Sequence, residues 1–267
     1  MDDIRNKAKE LLENNSVNVI IGFGNGTGNQ TRAIFVRKPE DTGKLVYDER
    51  CVQNLALYLL KHEVKHFGKI AITATVPILR TILQLASEYQ LKDGEIVVLG
   101  ISPDGKLVEF ADFKAIEDYI SIQNIDIKSD EKEFIKKIEA MSLSEKWTFW
   151  QDEFAKCIKC YACRQTCPLC YCTRCFVESN QPQWIPVAAH QLGNLEWHIL
   201  RAMHLSGRCI NCGECAKACP VGIPLNLLTY SLIDSIKTEF GVIAGTNSKL
   251  EPVLSSYKFD DKENFIG

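Results

Sequence analysis

Hydrophobic positions follow two rhythms along the chain. Up to residue 101 they come in short continuous runs, VNVIIGF (17–23), RAIFVR (32–37), KIAITAT (69–75) and EIVVLGI (95–101), the pattern of β-strands. Asp48 reads as the N-cap of a helix from Glu49 to about Phe67, with Val52, Leu55, Leu59, Ala56 and Leu60 on its apolar side and Gly68 as its stop. Pro77 opens a second helix to about Tyr89, so residues 69–101 form a βαβ unit with parallel pairing. A turn at Pro103 to Gly105, a short strand and a short helix complete this part. From Asp130 the spacing becomes helical and charged. It ends in Trp147, Trp150 and Phe154 at i, i+3 and i+7, a stripe expected to pack the two parts of the chain together. Residues 193–205 and 224–240 read as helices, and the tail after Pro252 has no periodicity. The expected class is α+β, with an α/β domain carrying a small mixed sheet over 1–127, a connecting helix over 128–150, a helical domain over 151–250 and a tail over 251–267.

Composition narrows the partners. Hydrophobic residues make up 46% of the 267, and the formal charge of -3 gives no global attraction to nucleic acid or to an anionic membrane. The N-terminus, MDDIRNKAKELLENN, is charged and amphipathic, and no run approaches the roughly 18 apolar residues of a membrane span. The expectation is a cytoplasmic protein without nucleic-acid partners or membrane insertion. Twelve cysteines in a chain of this size, with no export signal, argue against a disulfide scaffold. All but Cys51 lie between Cys157 and Cys219, which points to metal.

Two runs carry most of them, Cys157-x2-Cys160-x2-Cys163-x3-Cys167-Pro168 and Cys209-x2-Cys212-x2-Cys215-x3-Cys219-Pro220. Over residues 150 to 225 they resemble bacterial two-cluster 4Fe-4S ferredoxin domains. Three thiolates at this spacing surround one cube, while the x3 step and the proline turn the fourth toward the other cube. Cluster one is therefore expected on Cys157, Cys160, Cys163 and Cys219, and cluster two on Cys209, Cys212, Cys215 and Cys167. Two zinc sites are the alternative, although zinc motifs usually come as separated CxxC pairs. Cys170, Cys172, Cys175 and the distant Cys51 complete a third set of four, for which a third 4Fe-4S cluster is expected. Cys51 would supply a thiolate from the first turn of the helix capped by Asp48. In the opposing reading Cys51 is an ordinary buried residue and the CPLCYCTRC insert holds zinc or nothing. Tyr161, Tyr171, Phe176, Ile158 and Ile210 are placed to exclude water, and Lys156, Lys159, Arg164, Arg174, Arg208 and Lys217 to offset cluster charge.

Other signals carry less. HEVKH (62–66) fits a zinc-protease pattern but sits where its helix ends. Gly22, Gly24, Gly26 and Gly28 follow a strand without opening a helix, so a hairpin turn is expected, with a phosphate or flavin contact as the alternative. His190, His198 and His204 are read as packing or surface residues.

RKPEDTGKLVYDERCVQNLALYLL and GKIAITATVPILRTILQLASEYQLKDGEIVVLGI, within residues 30–101, are similar to the N-terminal domain of the beta subunits of deazaflavin-reducing hydrogenases and formate dehydrogenases. That family carries Lys-Gly-Cys where this chain has Thr75, Val76 and Pro77, and its domain order is the reverse. The resemblance implies an electron-transfer subunit of an anaerobic redox complex. Its partners would be other subunits or ferredoxin-like carriers, of hydrogenase, formate dehydrogenase, heterodisulfide-reductase or methylenetetrahydrofolate reductase type. In such a subunit no residue acts as acid, base or nucleophile. The alternatives are an oxidoreductase beta subunit that binds FAD and reduces a small carrier such as a deazaflavin, and a cluster-stabilised binding module without turnover.

Overall fold

The computed structural model describes residues 1–125, 129–176 and 182–254, with 129 and 130 described by backbone alone. Helix α1 (Asp2–Glu13) leads into strands β1 (Val19–Asn25) and β2 (Thr31–Val36), then α2 (His62–Lys65), β3 (Ile70–Ala74), α3 (Val76–Ser87), β4 (Ile96–Ile101), β5 (Leu107–Glu109) and α4 (Phe113–Ser121). The five strands form one sheet in the order β2-β1-β3-β4-β5. The inner pairs β1–β3 and β3–β4 are parallel and the outer pairs β1–β2 and β4–β5 antiparallel, which is the expected mixed sheet. Period-two alternation divides its side chains between two faces. Ile20, Ala71 and Leu99 meet α1 through Ala8, Leu11 and Leu12. Ile21, Ile72 and Val98 face the larger core with α3 and α4.

The expected hairpin is present. Gly26 N–H donates to the Gln30 carbonyl at 2.8 Å, and Gly28 takes a φ of +62°, which favours glycine. A Cβ on Gly22 would lie 2.3 Å from a methyl of Leu45, and one on Gly24 would lie 2.6 Å from Ile34. These glycines make room for the protein's own side chains rather than for a ligand.

The helix expected over 49–67 does not form. Asp48 Oδ1 accepts from both the backbone N–H and Nε of Arg50 at 2.9 Å, so the expected cap is used in a local turn. The chain then makes one 3-10 turn over Leu55–Tyr58, capped by Asn54, whose amide also donates to Thr81 Oγ1 at 2.8 Å. Leu55, Ala56 and Leu59 are nevertheless buried, so the periodicity recorded burial and not helix. HEVKH falls on the single turn of α2 with His62 and His66 exposed.

The second half comprises α5 (Ser129–Glu139), α6 (Leu143–Ala155), α7 (Ala162–Gln165), α8 (Gln191–His204), α9 (Glu214–Lys217) and α10 (Leu225–Phe240). The expected connecting helix is two helices, because Ser142 and Glu145 form a capping box that starts α6 afresh. The aromatic stripe on α6 packs within this half. Phe154 stacks on His198 of α8 at 4.6 Å and on Trp150 at 5.4 Å, while Trp147 is 50% exposed.

The two halves meet across α3, which is buried continuously from Ile78 to Ser87. A helix covered all round must have partners on both sides. The sheet covers one side. On the other, Arg80 donates to the carbonyls of Ile210 (3.0 Å) and Ala244 (2.7 Å), and Gln84 accepts from Gly245 N–H at 2.9 Å. Just beyond its end, Glu88 takes Arg208 Nε at 2.7 Å and the Tyr171 hydroxyl at 2.7 Å.

Candidate cluster sites

The two cysteine runs fold alike. In each, the third and fifth residues adopt left-handed backbone angles: Lys159 (φ 52°) and Tyr161 (57°) in the first, Asn211 (56°) and Gly213 (76°) in the second. These reversals wrap the chain around its own thiols before the single turns α7 and α9 begin. Tyrosine in this conformation costs about 1–2 kcal/mol. The ring is held edge-on against Trp197, with centroids 5.0 Å apart. Backbone amides point at sulfur: Lys159 N–H to Cys157 Sγ at 3.3 Å, Asn211 N–H to Cys209 Sγ at 3.4 Å and Ile223 N–H to Cys219 Sγ at 3.4 Å.

Two cavities result. One is lined by Cys157, Cys160, Cys163 and Cys219 together with Trp197 and His198. The other is lined by Cys209, Cys212, Cys215 and Cys167 together with Leu169 and Arg201. Each run thus sends its last cysteine to the other run's cavity, the crossing that the spacing predicts.

The donor set suits a multinuclear iron-sulfur group. Burial pushes the thiols of Cys157, Cys163 and Cys209 up, that of Cys215 to about 12 and that of Cys212 further. Four thiolates in such a place need positive ions among them, and a coordinating metal deprotonates a thiol outright. Cys167 shifts the other way, because the Cys170 thiol bonds to it and favours its charged form. The thiols of each set line one space.

Among the described residues, buried polar atoms beside these spaces have no hydrogen-bond partner. His198 leaves both ring nitrogens unsatisfied, and Arg201 leaves its Nε. Buried polar groups are ordinarily paired, and sulfurs of a bound cluster would accept from both. Burial holds the His198 imidazole down to about 3, keeping it neutral.

The third set is not gathered in either cavity. Cys51 is buried in the main core on an irregular segment, with Sγ 3.8 Å from the Val46 carbonyl oxygen, so the helix-end field expected to favour its thiolate is missing. Burial pushes its thiol up. Cys170 is half-buried against the same core, Cys172 is exposed, and Cys175 packs against the aromatic cluster of Phe154 and Trp197. Of the residues expected to exclude water, Ile210 is buried whereas Ile158 stands in solvent. Lys156 and Lys217 pair with Glu153 and Glu214. The sequence reading missed Arg80 and Arg201, and set His198 aside, because nothing in local spacing marks a side chain that reaches a cavity from another element.

Known proteins bear on these sites. The 4Fe-4S binding domain family matches residues 205–224, which hold the whole second run. The F420-dependent formate dehydrogenase subunit beta of Methanocaldococcus jannaschii is 31% identical over 238 residues, covering 82% of this chain and 61% of that protein. The F420-dependent formate dehydrogenase 1 subunit beta of Methanococcus maripaludis is 29% identical over 105 residues, covering 39% of this chain and 26% of that protein. The chain therefore spans about three fifths or less of these relatives, and the likeness reaches well beyond residues 30–101. It carries a 4Fe-4S binding domain within a chain that resembles formate dehydrogenase beta subunits along most of its length.

Proposed function

We propose that this protein is an iron-sulfur electron-transfer subunit that relays single electrons between partners in a redox complex. The observation that carries the reading is the pair of four-cysteine cavities with exchanged fourth members. Cys157, Cys160, Cys163 and Cys219 would hold one 4Fe-4S cluster, and Cys209, Cys212, Cys215 and Cys167 the other. Such clusters supply one-electron exchange. The chain's own residues hold them, shield them through Trp197, Leu169 and Ile210, and place charge beside them. The likeness to beta subunits named as F420-dependent formate dehydrogenase components supports a complex of that kind. Residues 1–127 and 151–250 serve as its docking and relay parts. Among the described residues no helix is long and apolar enough to cross a membrane.

The second reading is an oxidoreductase beta subunit that binds FAD and reduces a small carrier, although Leu45 and Ile34 take the space beside Gly22 and Gly24. Cys51, Cys170, Cys172 and Cys175 remain candidates for a third cluster on the count of cysteines alone. Anaerobic iron and acid-labile sulfide analysis tests all of this. About eight irons per chain supports two cubes, about twelve supports three, and none overturns the reading. Cys215→Ala should remove about four irons. If twelve are found and Cys51→Ala leaves them in place, Cys51 is not a ligand.

A further inference from the structure

Two arginines are buried where a cation is costly. Arg80 and Arg201 are 9% and 4% exposed, and their hydrogen bonds go to backbone carbonyls: Ile210 and Ala244 for Arg80, Cys163 for Arg201 at 3.0 Å. The Nε of each is unsatisfied. A buried charge without a counter-charge is unstable, so an anion has to lie close to both. The groups whose fields act on them are thiols. Arg80 feels Cys209 and Cys212, and Arg201 feels Cys167, Cys170, Cys215 and Cys163. All four cysteines of the second cavity, Cys209, Cys212, Cys215 and the crossed Cys167, thus lie in the field of a guanidinium, and Arg201 lines that cavity itself.

The first cavity is different. It is lined by the His198 imidazole, where the second cavity is lined by a guanidinium. Arg201 reaches this side through the Cys163 carbonyl, and Lys159 gives its ammonium to the Pro186 carbonyl and lies in the field of the Glu196 carboxylate as well as of Cys157. Glu214, the acidic residue lining the second cavity, has its own partner in Lys217 at 3.1 Å. Among the described residues, the guanidinium that lines a cavity without a carboxylate partner therefore belongs to the second one. A guanidinium keeps its charge at every physiological pH, whereas a buried lysine does not.

We propose that Arg201 and Arg80 are the positioning residues that set the order of potentials, making the cluster held by Cys209, Cys212, Cys215 and Cys167 the one on which the transferred electron rests. This inference rests on the two-cluster reading above. One electron arrives from a one-electron donor, which is oxidised. No bond is made or broken and no proton moves, and the second site gains one negative charge. Arg201 and Arg80 stabilise that charge through a poorly screened medium, where Coulomb energies are large, and so raise the potential. The electron then leaves for an acceptor by way of the other site or the adjoining surface. Arg80 comes from α3, so the sheet domain contributes directly to the electronic setting of the cysteine domain.

The test is a mediated dithionite titration of the anaerobic full-length protein, followed by electron paramagnetic resonance, with iron content measured on each sample. The native protein should show two resolved one-electron transitions. Arg201→Gln can still bond the Cys163 carbonyl but lacks the charge, and it should lower the upper transition by at least tenfold in the reduction equilibrium, ~59 mV for one electron. Arg80→Gln, which acts only on the second cavity, should lower the same transition, and Arg201→Lys should largely restore it. Full iron content with an unchanged gap in both glutamine variants overturns the inference, as does a shift of the lower transition in Arg80→Gln. If Arg201→Gln fails to retain iron, Arg80→Gln decides alone. Loss of iron from the native protein would instead sink the two-cluster reading.

Discussion

Between β1 and α4 the sheet turns Val, Ile and Leu to both faces, and α1, α3 and α4 cover them so fully that Val19, Ile20, Ile21 and Ile72 have no exposure. Around the two cysteine runs, 157–167 and 209–219, the regular elements shrink to single turns, α7 and α9, each preceded by left-handed residues. The contrast shows two ways of specifying a structure. In the first half the order comes from apolar burial and ladder pairing, which the chain supplies unaided. In the second, the backbone is bent into conformations that are unfavourable by themselves, with buried thiols and unpaired buried donors. Its order has to be completed by what the thiols bind.

The sharpest way to break this comparison is to remove iron. Chelation under reducing conditions should abolish amide protection across residues 157–223 while β1, β3 and β4 keep theirs, as read by hydrogen exchange. Equal loss in both halves would erase the distinction. Next in size, Leu79→Ala removes a fully buried side chain from α3 and should cost about 3 kcal/mol, measured by denaturant unfolding, with iron content unchanged. Glu88→Gln tests the seam. It takes the carboxylate from Arg208 and Tyr171, where Glu88 is 6% exposed, and should cost about 2–3 kcal/mol and make the two halves melt separately in calorimetry. The smallest effect belongs to the sheet half alone. Hydrogen bonds from Lys106 and then Ser102 hold the Asp104 carboxyl down to about 2. A depressed carboxylate contributes stability that is complete above its unfolded value near 3.8 and is lost as pH falls through about 2. Asp104→Asn should flatten a slight acid limb in that window, and titration by nuclear magnetic resonance should find the wild-type carboxyl below the usual range.

How much of this was legible from residues alone differs between the halves. The four apolar runs are strands within two residues of their expected ends, and for β1, β3 and β4 burial on both faces leaves a continuous signal. The two cysteine runs announce their crossing through spacing. The helix over 49–67 failed because a side chain that can cap a helix can equally serve a neighbouring arginine, and Asp48 does the second. Arg80 was invisible for a different reason. It lies 130 residues from the carbonyl of Ile210 that it grips, and to a sequence reader it is one polar position in an apolar helix. Arg201 and His198 sit on α8 with nothing but tertiary packing to mark them.

The exchanged cysteines have a consequence for biogenesis. Because Cys167 lines the space built by the later run and Cys219 the space built by the earlier one, neither nest is complete until both stretches have been synthesised and have met. On the two-cluster proposal, metallation is then a late, mutual event, and a truncation just short of residue 219 would leave the earlier nest one sulfur short as well as damaging the later one.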